Sequence, residues 1–224
     1  MTESAVAVVP VKRLDRALMR LAGTLDASAR RVLQEAMLTD VLAACRGCDR
    51  LAAIIVVTSD PDAARIAHAA GARVVPDHSP PRGIDAAVSL GLAAAERDAT
   101  SAAVVLFADL PLLAASDLAA LLDAAPGDPV TIAVSRDRTG TNALVLRPPS
   151  VMPPALGPGS LARHEERAAD LGITVKTVDL PGLTIDVDTP GDLAAFLRTR
   201  RSCETARVCE RLQIAEILAA TGAR

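Results

Sequence analysis

Four short apolar runs, AVAVVPV (5–11), LAAIIVVTS (51–59), ARVV (72–75) and AAVVLFA (102–108), end at polar or charged residues, with segments of helical spacing between them. A strand that stays apolar without alternation is covered on both faces. Strands that alternate with helices build a largely parallel sheet between two helical layers. The spacing of Val32, Leu33, Ala36, Met37, Val41 and Leu42 predicts a helix over 27–46 with Ser28 as its cap. SDPDAARIAHAAGA carries a helix start and a glycine stop, and a Pro-rich loop, PDHSPPRG, leads to a helix over 84–97. Ser116 is expected to cap a helix to about residue 124. PVTIAVS (129–135) and NALVLR (142–147) read as strands around the turn DRTG. ITVKTVDL and TIDVD read as late strands, with helices from 160 and in TPGDLAAFL, the latter capped by Asp188 or Thr189. The expected fold is therefore three-layer α/β. One domain covers 1–200 and a more polar helical extension covers 201–224, which can pack on its own domain or on a second subunit in a homodimer.

Composition narrows the function. Half the residues are hydrophobic, but there are two Phe, no Tyr and no Trp, so the core is built from Ala, Val, Leu and Ile. Scarce aromatics argue against single-stranded nucleic-acid binding, which depends on base stacking. A formal net charge of −3 gives no global field for nucleic acid or anionic membrane. The first residues lack the cationic start and apolar run of a secretion signal, and no stretch of 18 apolar residues exists, so a cytoplasmic protein is expected. Cys45 and Cys48 form a CxxC without a second ligand pair at zinc spacing. Together with Cys203 and Cys209 they read as reduced thiols.

In a parallel sheet, ligands bind beyond the carboxyl ends of the strands. After the first strand come Lys12, Arg13, Arg16 and Arg20, which either gather around a polyphosphate or form a solvated basic face. After the fourth comes Asp109, in FADLPLL, as a cation ligand or a turn residue. In TIDVDTPGDL, Asp186 and Asp188 share one face of an extended chain, and with Asp109 they can make a Mg²⁺ site for phosphoryl or nucleotidyl transfer. DRTGTNALVL offers Gly140, Thr141 and Asn142. LGPGSLARH offers Gly157, Gly159 and Ser160 at a helix start, where backbone N–H groups attract an anion. His164 is either a structural histidine or a ligand.

VPVKRL, FADLPLL, GTNALVLRPP, GPGSLARH and IDVDTPGDL, in order from about residue 5 to 198, together resemble the phosphoenolpyruvate/2-phospho-L-lactate guanylyltransferase family of coenzyme F-420 biosynthesis. DLPLL and DxDTPxDL are shared with other nucleotidyltransferases, whereas the GTNALVL and GPGS stretches are more specific. The resemblance implies a Rossmann-like nucleotidyltransferase fold, GTP as donor and a phosphorylated three-carbon acid as acceptor. It implies Asp109, Asp186 and Asp188 as Mg²⁺ ligands, and Thr141, Gly159 and Ser160 as acceptor-binding residues. Lys12, Arg13 and Asp109 take catalytic roles, and Lys12, Arg13, Arg20, Gly83 and Asp85 meet the nucleotide. Two departures stand out: Leu18 occupies a position where the family usually has Lys, and Asp85, in GIDAA, one where it usually has Asn. They motivate an alternative, a catalytically weak member that binds a nucleotide or a partner protein.

Overall fold

The computed structural model describes residues 5–78 and 82–220. Seven strands form one sheet: β1 (Ala5–Val11), β2 (Leu51–Thr58), β3 (Arg73–Pro76), β4 (Ala102–Leu106), β5 (Val130–Val134), β6 (Thr141–Leu146) and β7 (Val175–Val178). Their order is β3-β2-β1-β4-β6-β5-β7. Only β6 runs against the rest: it pairs antiparallel with β4 and β5, while the other pairings are parallel. The sheet is thus the mostly parallel one expected. The reversed strand arises because DRTG joins β5 to β6 as a hairpin, which only antiparallel neighbours permit.

Eight helices complete the described chain: α1 (Ala27–Gly47), α2 (Pro61–Ala69), α3 (Ile84–Arg97), α4 (Ala115–Asp123), α5 (Ser160–Asp170), α6 (Pro190–Arg198), α7 (Glu204–Arg211) and α8 (Ile214–Ala220). One sheet face packs Val9, Val56 and Val104 against α1, α2 and α4 through Leu38, Leu42, Ala63 and Leu118. The other packs Val8, Val57 and Val105 against α3 and α5 through Val88, Leu92 and Ala168. Both faces of each central strand are therefore buried, which is why these strands read as unbroken apolar runs. Gly91 lets α3 lie hard on the sheet, since a Cβ there would stand 2.3 Å from Val8 Cγ1.

The tail folds back on its own domain. Asp40 of α1 accepts the backbone N–H of Glu204 and of Thr205, each at 2.8 Å, and the Thr205 hydroxyl at 2.6 Å. Val208, Cys209, Ile214 and Leu218 then close a third cluster with Leu21, Leu33, Met37, Val187 and Phe196. Among the described residues no helix is long and apolar enough to cross a membrane.

Several local expectations are corrected. Asp26, not Ser28, caps α1, accepting the Ala29 N–H at 2.7 Å. Ser116 lies inside α4, which begins at Ala115; Asp117 reaches back to the Ala114 N–H at 2.9 Å. TIDVD is not a strand but an irregular connection, tied to β4's exit by the Val187 N–H to Asp109 carbonyl bond of 2.9 Å. Thr189 caps α6 in a reciprocal box with Asp192. The tail is two short helices, not one. All four cysteines are free thiols, and burial pushes Cys45 up to about 12. Part of the Pro-rich loop, residues 79–81, lies outside the described residues.

Candidate active site

The parallel strands β1, β3 and β4 deliver Lys12, Asp77 and Asp109 just beyond their carboxyl ends, and reversed β6 brings its amino end, Thr141 and Asn142, to the same edge. Two adjoining cavities open there. An apolar slot of about 350 Å³ is walled by Val11, Ala17, Ile84, Ala87, Phe107 and Ala108, with Gln34 and Asp77 as polar members. A polar basin of about 690 Å³ holds Arg20, Thr141, Gly159, Ser160, Asp186 and Asp188. Lys12, Ile84, Phe107 and Asp109 line both.

Asp109 is the group under most electrostatic stress. Its Oδ1 is buried with no hydrogen-bond partner among the described residues. Burial first, then the negative charge of Asp186, pushes its carboxyl up to about 7, and Lys12 opposes the rise. Asp186 is also raised, chiefly by burial, although Asn142 Nδ2 donates to it at 3.3 Å. Asp188 instead pairs with Arg20, Nη1 to Oδ2 2.9 Å. Val187, between them in sequence, is fully buried, while Asp186 and Asp188 both line the basin.

An oxygen-only donor set with a buried orphan oxygen and mutually repelling carboxylates suits a hard divalent cation. Among the described residues, however, no three ligating side chains stand in a ready cage, in keeping with the engagement of Asp188 by Arg20.

The opposite wall is a chain of neutral hydrogen bonds. Thr141 N–H donates to Ser160 Oγ at 2.9 Å, and Thr141 Oγ1 lies 3.1 Å from His164 Nδ1. His164 Nε2 accepts the Ala155 N–H at 3.0 Å, so Nδ1 carries the proton and donates to Thr141. The ring is fully buried, and burial pushes its pKa down to about 4. His164 therefore holds Thr141 instead of meeting a ligand itself, and its donation leaves the Thr141 hydroxyl proton free to turn into the basin. Gly159, at φ +68°, turns the chain into α5. The Leu161 N–H is already bonded to the Thr139 carbonyl, so this helix end offers fewer free amides than the sequence suggests.

The structure thus brings together Lys12, Arg20, Gly83, Asp109, Thr141, Gly159, Ser160, Asp186 and Asp188. It leaves Arg13 outside both cavities, forked onto Asp15 at 3.1 and 2.8 Å. Asp85 faces neither cavity wall; its Oδ1 accepts the Leu156 N–H at 2.8 Å and ties α3 to the GPGS loop. Leu18 points into the third core cluster at φ +52°, and the cation nearest in sequence that does reach the basin is Arg20. Sequence reasoning missed Asp77 and Gln34. The rule that ligands bind beyond the carboxyl ends of parallel strands, which exposed Asp109, also fits Asp77 after β3.

Comparison with known proteins identifies the family and the fold. The family model described as "Guanylyl transferase CofC like" matches residues 5–214. A phosphoenolpyruvate guanylyltransferase of Sphaerobacter thermophilus is 37% identical over 190 residues, covering 85% of this chain and 91% of that protein. One of Conexibacter woesei is 40% identical over 200 residues, covering 86% and 87%. Among solved structures, a 4-diphosphocytidyl-2C-methyl-D-erythritol synthase superposes with a TM-score of 0.64 at 15% identity, covering 89% of this chain and 98% of the other. A protein assigned as a nucleotide-diphospho-sugar transferase of Desulfovibrio desulfuricans G20 reaches 0.79 at 15%, covering 96% and 98%. The structural neighbours carry the Rossmann-like nucleotidyltransferase fold, and the sequence matches carry the family: this chain belongs to the CofC-like guanylyl transferases.

Proposed function

We propose that the chain transfers GMP from GTP to the phosphate of a three-carbon acid, phosphoenolpyruvate or 2-phospho-L-lactate, in coenzyme F-420 biosynthesis. The observation that carries this reading is the meeting of the apolar slot and the polar basin at Lys12 and Asp109. A nucleotide base fits the slot, and an anionic acceptor fits the basin beside Thr141 and Ser160. The relatives' name, phosphoenolpyruvate guanylyltransferase, supports the acceptor class.

In this reading a phosphate oxygen of the acceptor attacks the α-phosphorus of GTP. The bond from that phosphorus to the bridging oxygen breaks, and pyrophosphate leaves with the electron pair. The attacking oxygen is already anionic, so no general base is required, and the protein supplies positioning and charge neutralisation. Lys12 stands where the triphosphate and acceptor meet. Thr141, held by His164, and Ser160 orient the acceptor. Asp109 and Asp186, with Asp188 once it leaves Arg20, would hold Mg²⁺, which when bound neutralises charge on the phosphoryl oxygens.

The test mixes protein, GTP, Mg²⁺ and either acid, with a deazaflavin-accepting transferase as a trap, and measures pyrophosphate release. Release that depends on one acid supports the reading. A folded protein that releases none, beside an active relative, favours a binding-only protein; Leu18, turned into the core, would be its motivation.

A further inference from the structure

The apolar slot contains a carboxylate that the site as described leaves without a task. Asp77 stands one residue beyond β3, and the register Val11↔Thr58 and Thr58↔Pro76 sets it level with Lys12 along the sheet edge. It is held in place: its N–H donates to the Thr58 carbonyl at 3.2 Å, and its Oδ1 accepts the His78 N–H at 2.7 Å. Among the described residues no cation pairs with it. Of the other polar groups in the slot, Gln34 has its Nε2 committed to the Ala108 carbonyl at 2.7 Å. Lys12 and Asp109 lie at the opening shared with the basin. β3 and β4 are three strand spacings apart, about 14 Å. A ligand that meets both Asp77 and the groups around Asp109 is therefore an elongated one, largely apolar at the first end and, where it meets Lys12 and Arg20, anionic at the second.

We propose that Asp77 reads the guanine edge of the nucleotide, its carboxylate accepting both the ring N1–H and the exocyclic N2–H₂, and so makes the slot the base-selecting pocket. The inference rests on the guanylyl-transfer reading and assigns its donor specificity. A carboxylate only accepts hydrogen bonds. Guanine presents two adjacent donors on that edge, which match the two oxygens of one carboxylate. Adenine and cytosine each place an acceptor next to their amino group, and a fixed carboxylate repels it. Asp85, expected from the sequence to meet the nucleotide, is spent on Leu156, so the slot's acceptor comes from β3 instead of α3.

The test is calorimetric binding of GTP, ITP, XTP and CTP, each with Mg²⁺, to the wild type, Asp77→Asn and Asp77→Ala. Asn keeps an acceptor for the His78 N–H, and melting curves confirm that both variants fold. The wild type is expected to favour GTP, with ITP weaker for want of the 2-amino group. In Asp77→Asn, GTP affinity falls roughly 10- to 100-fold and XTP gains, because the amide donates to the xanthine 2-oxo group. Asp77→Ala loses GTP affinity without gaining XTP. A folded Asp77→Asn protein whose GTP-to-XTP ratio stays within about threefold of a GTP-selective wild type overturns the role of Asp77 and leaves guanylyl transfer standing. A wild type that does not favour GTP over CTP overturns both.

Discussion

Arg20 closes on Asp188 across the rim of the basin, its Nη1 2.9 Å from Oδ2, and among the described residues this is the one ion pair that a candidate cation ligand makes. Both partners are substantially exposed, so the pair contributes at most about 1 kcal/mol to folding. Its weight falls on function. Arg20→Ala is expected to move the melting temperature little, yet to weaken binding of Mg²⁺ with GTP several-fold, because the basin loses a guanidinium for phosphate oxygens. Titration calorimetry on the variant checks this; unchanged nucleotide affinity would remove Arg20 from the site. Asp188→Asn is expected to abolish pyrophosphate release with the fold intact. Near-normal release from that variant would reject the carboxylate assignment.

Asp109 gives a second test that does not depend on turnover. A buried carboxyl with an orphan oxygen gains from a cation that binds only the folded state. Mg²⁺ at millimolar concentration is expected to raise the wild-type melting temperature measurably at pH 8, and to leave Asp109→Asn unmoved. An equal rise in both proteins would place the ion elsewhere.

His164 predicts a pH dependence with a definite sign. Its pKa is pushed down to about 4 in the folded protein, below the ordinary value near 6.5. Between those values the unfolded chain binds a proton that the folded chain refuses. Stability is therefore full above about pH 6.5 and declines as pH falls toward 4, at up to about 1.4 kcal/mol per unit. His164→Gln should flatten this slope in denaturant titrations. It should also raise the KM for the acceptor roughly 10-fold, with the KM for GTP unchanged, since Thr141 and the Ala155 N–H lose their support and no residue lining the slot does. A parallel rise in both KM values would mean that His164 merely stiffens the domain.

Gly91 tests the packing. A methyl group there meets Val8 Cγ1 at 2.3 Å and Val57 Cγ2 at 3.0 Å. Gly91→Ala is expected to cost about 1–3 kcal/mol by pushing α3 off the sheet, which chemical denaturation measures. No loss would show that α3 shifts freely, and with it Gly83 and Ile84 of the slot.

The sheet was largely legible because its central strands are buried on both faces. β1 and β2 appear as unbroken apolar runs, and α3 spans the expected 84–97 because a loop and a polar stop bound it. TIDVD misled for a physical reason. A loop pinned at one buried Val187 alternates apolar and polar residues just as a strand does, and only the missing ladder tells them apart. Which carboxylate faces the slot was illegible for a different reason. Asp77 and Asp85 are both acidic residues near helix or strand ends, and tertiary contact alone sends one to the slot and the other to Leu156. Arg13 and Arg20 differ likewise: Asp15, two residues away, captures Arg13 before it can reach the basin.

The reversed direction of β6 has a consequence for how such a site can diverge. Had β6 run parallel to β4, its six residues would have carried Thr141 and Asn142 about 20 Å away, to the opposite edge of the sheet. Because it runs backward, the far wall of the basin draws on a stretch of chain separate from the one that builds the slot. The slot is built from residues 10–109, whereas the far wall of the basin, from Ser135 to Ser160 and on to Asp192, comes later. Changes in the second stretch can reshape the basin while the slot keeps its form. A chain built this way can change what its basin accepts without relearning what its slot holds.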